Sequence, residues 1–337
     1  MHRPSRLAIA VIGALALGVS APVAANAATN VTFETGFKPD VQFSPYYVAQ
    51  DLGFYKQAGL NVTISYQKRP NLPQDVASGK VAFASATGDA ALIDRAAGAD
   101  VKYVAQQGQQ YAVGAMWLTN GGPKITTPAD LKGKTIGISA PGSSTDFGLT
   151  VLLNAAHLKR SDVKVIAVGF NETEALVNHQ IDVAMTYTDN EPVNAAALGH
   201  PVHVMRVAKY ANLTPTGIIT GGKLMKKNPK EVQAFITATL RGLKFTLKNP
   251  DKAFKIAMKR QPEVVDASQV AIQRKILTAR LAYMQAPKNH PLGWSNPTGW
   301  AATKNVLVQQ KPAIKGMQQV KLPNLFTNQL VLKANVK

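Results

Sequence analysis

The chain has 337 residues, no cysteine, and 38 Lys and Arg against 19 Asp and Glu, a formal charge of +19. Without cysteine there are no disulfides, thiolate metal sites or cysteine nucleophiles, and no lipid-modified cysteine behind an export signal. The basic excess would suit nucleic acid, but it is dispersed with no run of five. A solvated basic surface, with no nucleic-acid partner, is the expectation.

At the N-terminus, Arg3 and Arg6 precede an apolar run over 7–19, and Ala25-Asn26-Ala27 supplies small residues for cleavage. This predicts a secretory signal peptide over 1–27, its apolar run too short for a membrane anchor. Cleavage would leave 310 residues at +17, enough for two lobes, in an exported periplasmic protein expected to be a monomer.

From residue 30 onward, strand-like and helix-like stretches alternate. "NVTFETGF" (30–37) predicts a strand, "SPYYVAQDLGFYKQAG" (44–59) a helix ended by glycine, and "LNVTISYQ" (60–67) a second strand. "VAFASA" (81–86), the helical "DAALIDRAAG" (89–98) and "VKYVAQQ" (101–107) continue the pattern. Such alternation predicts an α/β fold with a largely parallel sheet.

The grammar then restarts. "TTPADLKG" (126–133) is a short capped helix, and "KTIGISA" (134–140), "VKVIAVG" (163–169) and "DVAMTYT" (182–188) are strands. Residues 79–104 match residues 180–205 element by element, so two lobes of like topology are expected rather than a solenoid. After 217 come two long amphipathic helices, over 228–250 and 266–284. Asn228 stands as N-cap of the first, and Val232, Phe235, Ile236, Leu240, Leu243 and Leu247 form its apolar stripe. The glycine-bearing segments 111–122 and 214–222 link the lobes. Residues 28–118 with 217–337 are expected to form the first lobe and 119–216 the second, hinged over a cleft.

Ligands of open α/β sheets bind outside the carboxyl ends of the strands. That rule selects four loops, 36–46, 85–89, 140–147 and 187–192. "YTDNEP" (187–192) occupies in the second lobe the place that "ATGDA" (86–90) occupies in the first. Glu191 is therefore the expected ligand anchor, ionised, with Asn190 and Tyr187 beside it, although Asp, Asn and Glu also suit a plain helix cap. Gly142, Ser143 and Ser144 form a turn whose N–H groups could hold an anion or carbonyl oxygen. Phe37, Asp40, Gln42 and Phe43 belong to the first loop, where an aromatic could stack on a flat ring. Ser85 and Thr87 belong to the second, and Gln110 with Tyr111 precedes the crossover. The histidines lack metal spacing and no nucleophile–base set stands out, so no metal, cofactor or catalysis is expected.

Taken together, "SPYYVAQDLGFYKQAGLNV", "ADLKGKTIGIS", "YTDNEP" and "LFTNQLV" resemble the periplasmic solute-binding proteins of ABC importers for the thiamine pyrimidine and its relatives. That family shares its fold with the fungal hydroxymethylpyrimidine synthases, whose cysteine-rich motif is absent here. The resemblance implies a two-lobed type II clamshell that delivers a flat nitrogen heterocycle to an inner-membrane permease, with Glu191, Asn190 and Tyr187 reading the ring. "ADLKGKTIGI" is shared with alkanesulfonate and nitrate binders. The loop "GFKPDVQF" (36–43) is similar to the riboflavin-binding branch, which leaves pyrimidine as the first expectation, with a flavin binder, an alkanesulfonate- or nitrate-type binder and a synthase-like enzyme as the alternatives.

Overall fold

The computed structural model describes residues 28–66, 72–310 and 312–336; the expected signal peptide lies outside the described residues. Ten strands occur in chain order: β1 (Thr29–Glu34), β2 (Leu60–Ser65), β3 (Phe83–Ala86), β4 (Val101–Gln106), β5 (Val113–Leu118), β6 (Thr135–Ile138), β7 (Lys164–Ala167), β8 (Val183–Tyr187), β9 (Val202–Arg206) and β10 (Gly217–Gly221). They form two five-stranded sheets, ordered β2-β1-β3-β10-β4 and β7-β6-β8-β5-β9. The two orders correspond strand for strand, as the internal match of 79–104 with 180–205 implied. The fold is α/β, a two-lobed clamshell with helices flanking each sheet.

Each sheet is parallel except for one strand. β10 runs antiparallel to β3 and β4, and β5 runs antiparallel to β8 and β9. These are the two strands that follow the crossings between sheets. This differs from the expected boundary at 118. All of β5 is hydrogen-bonded into the second sheet, so the first crossing is 107–112 and the return is 207–216. The apolar run "VGAMWL" reads as a linker only in isolation; with both faces covered, it is a fully buried central strand.

The helix expected over 44–59 is broken. Gly53 takes φ +72°, which splits it into Ser44–Asp51 and Phe54–Gln57. The long helix Pro229–Lys248 packs across Ser44–Asp51 as its stripe required. Phe235 is fully buried and lies nearly parallel to Phe83, ring centroids 3.9 Å apart, with Tyr55 stacked at 5.3 Å. Burying one such side chain is worth roughly 1.5–3 kcal/mol. Gly242 sets the helix separation: a Cβ there would lie 2.2 Å from the Pro45 carbonyl oxygen and 2.9 Å from Ala49 Cβ. No described helix is long and apolar enough to cross a membrane.

Candidate functional site

A cavity of about 540 Å³ lies between the sheets at the carboxyl ends of the parallel strands. All four loops picked by the strand-end rule line it. Phe37, Gln42 and Phe43 come from the first, Ser85 and Thr87 from the second, Gly142, Ser143 and Ser144 from the third, and Tyr187, Asn190 and Glu191 from the fourth. Asp40, Gln110 and Tyr111 do not line it. Asp40 is buried behind the first loop, where it accepts the Gln42 N–H at 2.9 Å and so shapes the turn that presents Gln42 and Phe43. Gln110 is exposed to solvent. Tyr111 is buried, and its hydroxyl donates to Asp89 at 3.0 Å.

Asp89 is the hub of a tie between the lobes. Its second oxygen accepts from Ser144 Oγ at 2.9 Å, and Ser144 Oγ is also 2.8 Å from Thr87 Oγ1. Two further ties span the sheets. Arg280, on the helix Ala267–Tyr283, pairs with Asp189 at 2.7 Å with both side chains buried. The Tyr283 hydroxyl lies 2.8 Å from Thr188 Oγ1, beside the crossing, where Gln109 N–H donates to the Tyr283 carbonyl.

Beyond Leu72, Ser139, Thr216 and Ile219, five further cavity contributors were not anticipated. Gly169, Phe170 and Glu172 form a fifth strand-end loop, after β7; the same rule selects it, and "GFNE" carries the aromatic-plus-carboxylate signal of "YTDNE". Asp94 reaches in from the helix Gly88–Ala96, and Arg280 from a helix about 90 residues beyond β8, which no local pattern could have placed. Phe170 is 64% exposed and meets Phe37 edge-on across the mouth, ring centroids 5.2 Å apart. One aromatic from each lobe thus stands at the entrance.

The carboxyls of the cavity are held away from their ordinary values. Burial pushes Glu191 up to about 8, with the Glu172 and Asp189 carboxyls adding to the rise. Burial likewise raises Glu172 and takes Asp94 up to about 7, the latter helped by Asp89. In the ligand-free cavity this runs against the ionised Glu191 expected for the filled one. At neutral pH, without ligand, it is mostly a carboxylic acid, because the wall around it offers too little compensation for a charge. Its Oε2 is buried and has no hydrogen-bond partner. Nor is the neighbourhood a simple cap: Asn190 stands at the N-cap of the helix Glu191–Ala197 yet makes no capping bond with its side chain.

The turn at 140–147 is similarly pre-engaged. Asp146, in the first turn of the helix Ser144–Ala155, accepts the Gly142 N–H at 2.9 Å and pairs with Arg160. A carboxylate of the chain's own already sits on the positive helix end, which reduces its use for a ligand anion. Among the described residues, Arg280 is the one cation lining the cavity, and Asp189 already engages it.

A family model described as NMT1/THI5 like matches residues 40–253. The chain belongs to that family. Riboflavin-binding protein RibY of Chloroflexus aurantiacus is 31% identical over 92% of this chain and 88% of its own. A formylaminopyrimidine-binding protein of Halalkalibacterium halodurans is 25% identical over 78% of this chain and 79% of its own. Among solved structures, the periplasmic aliphatic sulphonate binding protein SsuA of Escherichia coli superposes with a TM-score of 0.68 at 17% identity, covering 86% of this chain and 91% of its own. At that identity the likeness speaks for the fold. Family membership and fold agree with the resemblance carried by "YTDNEP" and "ADLKGKTIGI".

Proposed function

We propose that this member of the family is the exported solute-binding protein of an ABC importer and that it carries an uncharged flavin of the riboflavin type. The observation that carries the reading is the make-up of the cavity wall. Aromatic rings stand at the mouth, the floor holds hydroxyls and protonatable carboxyls, and the lining cation is already paired. Among the described residues, an anion such as a sulfonate, nitrate or phosphate would have to be desolvated against carboxyls with no unpaired cation to receive it. A neutral, flat, donor- and acceptor-rich ring meets no such cost. Its faces suit Phe37, Phe43, Phe170 and Tyr187, and its imide edge suits a carboxylic acid that donates and accepts side by side, as Glu191 does while protonated.

The volume, about 540 Å³, is in the range of sites that enclose a drug-sized molecule, which favours a fused ring system with a polyol tail over a lone pyrimidine. The likeness to the riboflavin binder over nearly the whole chain supports the same choice. Catalysis is not proposed.

Fluorescence quenching of riboflavin by the purified mature protein tests this. Saturable 1:1 quenching is expected, with FMN much weaker and an aminopyrimidine unable to compete at equal concentration. Tight aminopyrimidine binding with no quenching of riboflavin would return the site to the pyrimidine reading. Mass spectrometry of the recovered ligand should show it chemically unchanged after prolonged incubation; a new product would mean an enzyme.

Entry to a cavity tied across both lobes requires them to part. With crossings at only 107–112 and 207–216, the expected motion is a rigid-body rotation about those segments. Small-angle scattering should show a smaller radius of gyration at saturating riboflavin than without it. Identical profiles would count against the clamshell motion.

A further inference from the structure

Although it forms no run of five, the basic excess is unevenly divided along the chain. Residues 28–112 carry 7 basic and 7 acidic side chains, residues 113–216 carry 8 of each, and residues 217–337 carry 21 Lys and Arg against 4 Asp and Glu. The second sheet with its helices is therefore neutral. The whole excess of +17 sits in the segment that packs its helices around the first sheet.

The chemistry within that segment is also divided. Its four arginines are all engaged: Arg241 with Gln57 and the Phe54 ring, Arg260 with Asp51 and Gln50, Arg274 with Asp251, Arg280 with Asp189. Most of its described lysines are solvated, although Lys259 pairs with Asp51 and Lys304 donates to the Gln318 and Val320 carbonyls. Lys223, Lys226, Lys227 and Lys230 are exposed in and beside the helix Gly222–Lys227, and Lys252 and Lys255 stand out from Pro250–Met258, whose opposite side buries Phe254 and Ile256. None of these six lines the cavity, and none belongs to an ion pair among the described residues.

We propose that the helical coat of the first lobe is a docking surface for an anionic lipid bilayer. Charge complementarity selects the occupant. Compact, flexible, unpaired ammonium groups spread over a convex helical surface match a continuous field of phosphate headgroups. All four arginines of the segment are engaged, so no unpaired guanidinium fork is offered there to a nucleic-acid backbone. A protein partner would call for an exposed apolar centre, and none of the exposed large apolar side chains among the described residues lies in Gly222–Lys227 or Pro250–Met258. The consequence, resting on the importer reading, is that the protein is held at its membrane by the first lobe. The neutral second lobe stays free to swing, and the search for the permease becomes two-dimensional.

The test is co-sedimentation of the mature protein with vesicles of 70% phosphatidylcholine and 30% phosphatidylglycerol, and with phosphatidylcholine alone. Binding is expected to the first only, falling steeply as salt is raised. The variant Lys223→Gln/Lys226→Gln/Lys227→Gln/Lys230→Gln should lose about tenfold or more in partition, since each lysine near such a surface adds measurably. A control with Lys124, Lys132, Lys164 and Lys209 of the second lobe changed to Gln should shift less than about twofold. Riboflavin quenching by both variants reports that the fold and cleft are intact, so loss of docking and failure of the importer reading are separate results. The proposal is overturned if anionic vesicles do not bind at low salt, if the two variants fall equally, or if a DNA duplex binds as tightly as the vesicles.

Discussion

Changing Arg280 to methionine is expected to cost about 3–5 kcal/mol of unfolding free energy, the loss typical of leaving one charge of a buried pair unpartnered. Arg280 and Asp189 are 4% and 3% exposed at their side chains and 2.7 Å apart, one on a first-lobe helix and the other at the end of a second-lobe strand. Methionine fills a similar volume, so most of the loss comes from the stranded Asp189 rather than from a void. The double change Arg280→Met/Asp189→Leu should therefore recover most of the stability while removing the tie between lobes. Urea unfolding of the wild type, the single and the double variant reads this directly. A single-variant loss under about 1 kcal/mol would mean that water reaches the pair and that it behaves as a surface bridge.

The second large effect is expected at Glu191, and its sign follows from its protonation. Burial holds the folded carboxyl at about 8, against an ordinary value of 4.5 in the unfolded chain. Stability contributed by this group is full below about 4.5 and is lost as pH rises through 8, on the order of 3 kcal/mol of it already by pH 7. Glu191→Gln removes the titration, so the ligand-free variant should match wild type near pH 5 and exceed it near pH 8. Asp94 and Glu172 titrate with the same sign in both proteins, and the difference between the two curves reports Glu191 together with its coupling to Glu172.

Binding of riboflavin should follow the same proton. Wild-type affinity is expected to be level from pH 6 to 7 and to fall about tenfold per unit above 8, while the variant stays level throughout. Affinity that rises with pH in wild type would show that the ligand takes an ionised Glu191. Equal affinity and equal pH dependence in the two proteins would remove Glu191 from the site.

Much of the site was legible because one physical rule did the selecting. Strand ends in a parallel sheet expose backbone and turn residues on a common edge, so the loops after four apolar strands could be listed from periodicity alone. Eleven of the twelve residues named from those loops line the cavity, Asp40 being the exception, and Gln110 and Tyr111, named from the segment before the crossover, do not. The three that do not show what a linear reading lacks. Asp40 and Tyr111 have the right chemistry but turn inward to hold loops, and Gln110 has the right neighbourhood but faces water. Which way a loop side chain points depends on contacts made tens of residues away.

The alternation of elements, the doubling of the lobe pattern and the amphipathic stripes are local consequences of side-chain period, and the sequence determined them by itself. The charge asymmetry is equally written there, since counting needs no coordinates. Only tertiary structure decided the placement of β5 in the second sheet, because a run buried on both faces carries no sign of which sheet covers it. Folding also brought Arg280 to Asp189 and set the protonation of Glu191. A pairing across 91 positions and a carboxyl held at about 8 arise from desolvation and proximity, and neither exists until the lobes have closed around the same space.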